Sequence, residues 1–329
     1  RLLNRYSDKA VLNSEKKSSD FFKELYQGMM PPAVRHALGE YYTKRWLAQQ
    51  VVDETVSMIS NADWRGLDPC CGSGTFLTVM IDKVLEEVKN NSREEQLHAV
   101  LTRVTGIDLN PVAVLTARVN YFINISHLLD IDEELEIPVY LGDSSYVPRK
   151  CEFDGICCLE YSINTLIAPI NILVPVSMVA DPFKFSQAMT SIELYIKALD
   201  EQGAYECLEK LVAPDELTDA IKGELHKLSE SLVELERRKW DGIWARIITN
   251  YLTTANLGKF DVIVGNPPWV DWKSLPSGYR DKIKSLCISR KLFSGDKVTG
   301  GINLNICALI SNVVAENWLT QSGILGFLM

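Results

Sequence analysis

The stretch Asp68-Pro69-Cys70-Cys71-Gly72-Ser73-Gly74-Thr75-Phe76 decides the fold, because it joins a short strand predicted over Trp64 to Leu67 to an apolar-faced helix predicted over Thr75 to Val88. Glycines at such a turn let the backbone approach a ligand closely and reach positive φ without a Cβ penalty. The small residues leave room for a nucleoside, and the helix that follows offers free N–H groups at its start. In an open α/β sheet, ligands bind beyond the carboxyl ends of the strands, where this turn falls. The turn is not GxGxxG and does not end in GK[ST], which disfavours dinucleotide and P-loop readings. Taken alone, it could still be a strand-end turn with no ligand.

The same strand–turn–helix rhythm runs outward from it. Upstream, residues 13–30 are polar and helix-forming, and Thr43 has the position of an N-cap for a helix carrying Trp46, Leu47, Val51, Val52, Val56 and Ile59. Downstream, Val104-Thr105-Gly106-Ile107 reads as a second strand ending in Asp108, and Pro111 opens a helix through Ile123. Ile137 to Leu141 reads as a third strand, ending at Gly142-Asp143. The rhythm then breaks at about residue 150. From there the chain is first apolar and β-prone, around Cys157 to Val179, and then helical and charged from Pro214 to Tyr251. This helical part reads as helix packed on its own domain, with a coiled-coil partner surface as the other option. The rhythm resumes with a fourth strand at Phe260 to Val264, a helix near Asn305 to Leu319 and a closing strand at Ile324. The alternation predicts an α/β fold, a Rossmann-like parallel sheet with helices on both faces. The divisions are an N-terminal helical segment (1–43), a first half of the sheet domain (44–149), an insertion largely helical at its end (150–257) and a second half (258–329).

The strand ends carry the chemistry. A carboxylate at Asp108 can accept bonds from both hydroxyls of a ribose, and one at Asp143 from an adenine amino group. Asn266-Pro267-Pro268-Trp269 follows the fourth strand, and its two prolines fix φ and remove two backbone donors. An exocyclic amino group on a base is a poor nucleophile, because its lone pair is delocalised into the ring. The Asn266 side-chain oxygen and the Pro267 carbonyl can each accept one of its hydrogens and draw the nitrogen toward tetrahedral geometry. The gain comes from positioning and electrostatics rather than from a strong base. Trp269 is suited to stack on the base. The plainer reading is a turn after a buried strand, with an anchoring tryptophan.

Composition bounds the alternatives. At 329 residues, 47% hydrophobic and 23% charged, the chain has the make-up of a soluble globular protein, with no apolar run that could span a bilayer, and its start lacks the apolar core and small-residue cleavage site of a signal peptide. Its eight cysteines form no CxxC pair and read as reduced cytoplasmic thiols. The net charge of −9 is unevenly spread. Residues 1–50 hold nine Lys/Arg against five Asp/Glu, and residues 271–300 hold seven against three. That pattern permits a nucleic-acid partner, with Lys273, Arg280, Lys282 and Lys284 as candidate phosphate contacts. The four histidines show no metal-ligand spacing, so no metal is expected, and Asp8 with Glu15-Lys16-Lys17 gives only a weak nuclease pattern. The chain starts at Arg1 and stops inside the apolar run to Met329, which reads as part of a longer polypeptide.

Together these residues resemble the amino-group DNA methyltransferases that act on adenine. The arrangement is the one with cofactor motifs ahead of the catalytic motif, as in type I and fused type II restriction–modification enzymes and related phage-defence methylases. Gly39-Glu40-Tyr41-Tyr42-Thr43 is similar to the family's N-terminal cofactor motif and Asp68 to Thr75 to its glycine motif. Asp108-Leu109-Asn110-Pro111 and Gly142-Asp143-Ser144 are similar to its ribose and adenine contacts, and Asn266 to Trp269 to its catalytic tetrapeptide. The resemblance covers roughly residues 35–145 and 258–329. It implies that Asp68, Pro69, Cys70, Gly72 and Gly74 line S-adenosyl-L-methionine, with Tyr42 and Thr43 closing its methionine or adenosine side. Asp108 and Leu109 would serve its ribose, and Asp143 and Ser144 its adenine. Asn266, Pro267, Pro268 and Trp269 would act on an adenine flipped out of double-stranded DNA. A C-terminal recognition domain or a specificity subunit is expected outside this chain. Lys44 stands where the family usually has proline. Two other readings stay open: a methyltransferase acting on RNA bases or protein glutamine, and a non-catalytic cofactor-binding subunit.

Overall fold

Strands that alternate with amphipathic helices can bury both faces only in a parallel sheet, and the computed structural model has that architecture. It describes residues 43–129, 135–163, 170–238, 243–293 and 304–329. The expected helix before residue 43, the Gly39–Tyr42 part of the first motif and the Asp8 to Lys17 pattern lie outside the described residues. The chain divides into two compact units, Arg1–Tyr146 with Lys259–Met329, and Val147–Gly258.

Helix α1 (Arg45–Ser57) opens the first unit. Its N-cap is Lys44, with no side-chain cap bond. Thr43 was the expected cap; it is buried instead, and its hydroxyl accepts from the Asn266 side-chain amide at 3.3 Å. Strand β1 (Gly66–Asp68) begins two residues later than expected. Trp64 is withdrawn from the strand because its indole N–H donates to Glu87 at 3.1 Å and the Arg103 guanidinium covers its ring at 4.7 Å. Helix α2 (Thr75–Glu87) is buried on nearly every side of its first two turns, from Thr75 to Ile81. Helix α3 (Arg93–Arg103), which the sequence rhythm did not contain, starts at a capping box in which Ser92 and Glu95 each bond the other's backbone N–H. Strand β2 (Val104–Asp108) leads to α4 (Pro111–Ile125), capped by the Asn110 side chain on the Val112 N–H, and then to β3 (Val139–Leu141).

The second unit begins with an antiparallel sheet of β4 (Arg149–Phe153), β5 (Ile156–Ile163) and β6 (Ile170–Pro175). Asp154 and Gly155 both have positive φ in the two-residue turn between β4 and β5, as the tight hairpin requires. Helices α5 (Pro182–Lys197), α6 (Glu201–Glu209), α7 (Asp219–Arg237) and α8 (Ile243–Ala255) complete the unit. On α7, Ile221, Leu225, Leu228 and Leu232 recur at helical spacing and are buried, so this amphipathic helix packs within its own unit.

The chain re-enters the first unit at β7 (Phe260–Gly265) and continues through α9 (Ser277–Ser289), α10 (Ile306–Trp318) and β8 (Leu319–Phe327). The sheet order is β3-β2-β1-β7-β8, with every pairing parallel. Gly66 of β1 is in register with Val104 on one side and Val262 on the other, so the strand order reverses direction at β1. Val262 and Val264 belong to the core that includes Ala48 and Val52 of α1 and Leu77 and Met80 of α2, whereas Ile263 is fully buried outside it. Side chains alternate along a strand, so both faces of β7 are covered. A reversal of strand order opens a crevice at the carboxyl edge of a doubly wound sheet. Every strand-end residue singled out from the sequence falls at that edge.

Candidate active site

The turn after β1 is fixed by bonds along its length. The Cys71 N–H donates to the Ile107 carbonyl at 2.9 Å and the Gly74 N–H to the Cys71 carbonyl at 2.8 Å. The buried Asn120 amide donates to the Ser73 carbonyl at 2.8 Å, and the Ser144 hydroxyl to the Pro69 carbonyl at 2.5 Å. Gly72 and Gly74 have φ of +53° and +95°, where a Cβ would be strained. A Cβ on Gly72 would meet nothing within 4 Å, so there is open space beside the turn at that residue.

Three carboxylates converge here. Asp108 accepts from the Gly72 N–H and the Asn110 N–H, both at 2.8 Å, so the end of β2 holds the turn of β1. Leu109, next to it, is exposed. Asp143 is buried and accepts from the Ser145 N–H at 3.0 Å and the Ser145 hydroxyl at 2.6 Å. Asp68 is 1% exposed and accepts from the Cys70 N–H at 3.1 Å. Burial raises its pKa well above the ordinary carboxylate value, and the charge of Asp108 raises it further against the bond from Cys70. Burial likewise pushes the Cys70 thiol up, reinforced by Asp108, Asp68 and Asp143 in that order. The turn is therefore an electronegative basin with hydrogen-bond acceptors on several sides.

Beside it, β7 delivers Gly265 and Asn266. A Cβ on Gly265 would stand 2.6 Å from Asp68 Oδ1, so glycine is what lets the last residue of β7 lie against that carboxylate. The Asn266 amide donates to Thr43, and its Oδ1 accepts from the Trp269 indole N–H at 3.1 Å. Pro267 is buried, Pro268 half-buried, and Trp269 is 44% exposed. Beyond it, the Ile306 N–H donates to the Val270 carbonyl at 2.9 Å and the Trp272 N–H to the Leu304 carbonyl at 2.7 Å, which ties the segment to the start of α10.

Of the residues singled out in the sequence, Thr43 is joined directly to Asn266, and Asp68, Asp108, Asp143 and Ser144 all touch the turn or one another's fields. Tyr42 lies outside the described residues. Lys282 is half-buried, with its ammonium 4.0 Å from the centre of the Tyr146 ring, and Asp143 acts on its charge. Lys273 and Lys284 are exposed and Arg280 is half-buried. Sequence reasoning missed Asn120, Ser145 and Tyr279, whose hydroxyl bonds Asp143. A cluster of three or more His, Cys, Asp or Glu side chains arranged to hold a metal ion does not occur among the described residues. No helix among them is long and apolar enough to cross a membrane.

The sheet order and the strand-end acids around an open glycine turn define a Rossmann-like α/β module. Residues 102–299 match the family model described as Eco57I restriction-modification methylase, and the chain belongs to that family. Residues 17–149 match the model described as N-6 DNA Methylase. No curated protein matches the chain. Among solved structures it is similar to a nuclease-deletion mutant of the Type ISP restriction-modification enzyme LlaGI in complex with a DNA substrate mimic, at 12% identity and a TM-score of 0.40. That match covers 95% of this chain and 20% of the LlaGI mutant chain, so this chain spans a fifth of the length of the chain it matches.

Proposed function

We propose that this chain is the methyl-transferring module of an adenine-specific DNA methyltransferase that uses S-adenosylmethionine. One observation carries the reading: Asn266-Pro267-Pro268-Trp269 leaves the carboxyl end of β7, and the strand paired beside it, β1, ends in the glycine turn.

The residues around the turn fit that cofactor. The space beside Gly72 is open, and the surrounding acids suit a cationic ligand rich in hydroxyl and amino donors. Bound there, the cofactor would supply an electrophilic methyl group on a sulfonium sulfur. Asp108, which accepts from the Gly72 and Asn110 N–H groups, would also accept from the ribose hydroxyls. Asp143 would accept from the adenine amino group.

Asn266 Oδ1 accepts from the Trp269 indole, and an amide oxygen is an acceptor with two lone pairs. With the Pro267 carbonyl it would take both hydrogens of a target amino group and free that nitrogen's lone pair for attack. The exposed Trp269 would stack on the extruded base. Such stacking stabilises by about 1–3 kcal/mol per base, comparable with the few kcal/mol of extrusion. Exposed Lys273 and Lys284 lie on the segment that follows and would meet phosphates. DNA is favoured over RNA or protein by the family to which the chain belongs.

The test is transfer of labelled methyl from S-adenosylmethionine to duplex DNA, structured RNA and a glutamine-bearing protein substrate, followed by digestion to nucleosides. N6-methyladenine from DNA is expected. Asn266→Ala is expected to lower its formation by about 10²–10³-fold, the scale of losing one preorganised polar contact to the reacting group. Methyl groups found only in RNA or protein, or an unimpaired Asn266→Ala, would defeat the reading.

A further inference from the structure

Helix α9 begins a few residues after the catalytic tetrapeptide and turns one face inward at helical spacing, with Ile283 and Cys287 buried on it. The residues at the amino-terminal end of that face are polar, and both reach the segment after β3. The Tyr279 hydroxyl donates to Asp143, at 3.1 Å from Oδ1 and 3.2 Å from Oδ2, and also touches the Ser145 hydroxyl. Lys282 packs its ammonium on the Tyr146 ring, close enough that the Asp143 charge opposes the lowering of its pKa by burial.

The hydrogen-bond inventory of Asp143 is uneven. Among the described residues, Oδ1 takes the Ser145 N–H, the Ser145 hydroxyl and the Tyr279 hydroxyl, while Oδ2 takes the Tyr279 hydroxyl. Oδ2 therefore keeps acceptor capacity. A carboxylate surrounded by donors remains an acceptor. It welcomes a 6-amino purine and repels a 6-oxo purine, because a site built to accept leaves a carbonyl partner unpaired.

We infer that Tyr279 is a positioning residue for the cofactor's adenine: from the helix that follows the catalytic tetrapeptide, its hydroxyl fixes Asp143 as an acceptor with Oδ2 left for a 6-amino group. The inference rests on the cofactor reading above. It extends the adenine subsite to a helix that belongs to the other half of the sheet. It also makes purine selectivity a property of residues 136 positions apart.

The experiment titrates wild type and Tyr279→Phe by calorimetry with two ligands: S-adenosylhomocysteine, and its counterpart built on purine riboside, which lacks the 6-amino group. Tyr279→Phe keeps the ring and its packing and removes only the donor. The variant is expected to bind S-adenosylhomocysteine about tenfold more weakly, the scale of one hydrogen bond to a charged group. Its affinity for the deamino ligand is expected to change by less than about twofold. An equal loss for both ligands shows a general packing role and overturns the inference, as does undiminished binding of S-adenosylhomocysteine. Wild-type protein that binds neither ligand removes the cofactor reading as well, an outcome distinct from either of those.

Discussion

The turn Asp68–Gly74 and the tetrapeptide Asn266–Trp269 leave neighbouring strands, yet they are held in opposite ways. The turn is bonded through its backbone at Pro69, Cys71, Gly72 and Ser73 by partners from β2, α4 and the segment after β3, and Gly74 bonds back to Cys71 within the turn. The tetrapeptide is held through side chains, with Asn266 between Thr43 and an exposed tryptophan. A ligand of constant shape rewards a turn that is organised in advance, because nothing need be ordered on binding. A base that arrives from a duplex and leaves again is better met by side-chain bonds that can be exchanged. Under the proposed function, the difference separates a fixed cofactor cradle from an adaptable substrate face, and substitutions on either side should move different observables.

The largest effect is expected on the fixed side. Asp108→Ala removes the acceptor for two backbone N–H groups as well as the proposed ribose contact, and hydrogen bonds to a charged group contribute about 1.5–3 kcal/mol each. Calorimetry with S-adenosylhomocysteine should show about a hundredfold loss of affinity. An unaltered dissociation constant would contradict the cradle. On the other side, Trp269→Ala should raise the KM for DNA about tenfold through lost stacking, with cofactor affinity unchanged. If cofactor affinity falls as well, the two faces are not separable.

The smallest effect probes the place where they touch. Burial and the Asp108 charge hold the Asp68 carboxyl above its ordinary 3.8, so the folded chain binds that proton more tightly than the unfolded chain does. Ionisation of Asp68 therefore opposes folding, and stability falls as pH rises from 3.8 through the folded-state value. Asp68→Asn keeps Oδ1 as acceptor for the Cys70 N–H and cannot ionise. The variant should unfold a few degrees higher near pH 8, at about 2–8 °C per kcal/mol, with the gap closing toward acid. Superimposable melting profiles across that range would remove Asp68 from the account.

Most of the sheet was legible in the sequence because its signals are local. Apolar runs ending in Asp68, Asp108 and Asp143, each followed by turn residues or a proline, mark strand ends without reference to anything distant. The Ser92–Glu95 box and the Asp154-Gly155 turn are equally local, and they account for the helix and hairpin absent from the rhythm. Other features are tertiary. Trp64 reads as strand until Glu87 and Arg103 claim it. Thr43 reads as a cap, but its hydroxyl is engaged 223 positions away. Tyr279 sits in a stretch whose basic charge suggested phosphates, and nothing near it in the sequence points to Asp143.

The reversal of strand order at β1 has a consequence for how the molecule comes into being. The Arg65 N–H bonds Asp261 across the seam between β1 and β7, a closure of 196 residues, whereas β1, β2 and β3 pair within one short span. Loop-closure entropy and synthesis from the amino terminus both favour the nearer pairings first. On a ribosome the cradle strands are thus complete while β7 is still untranslated. The β1–β7 seam can therefore close only after β7 has been made, and the tetrapeptide reaches its place only when that seam joins the two sides of the sheet.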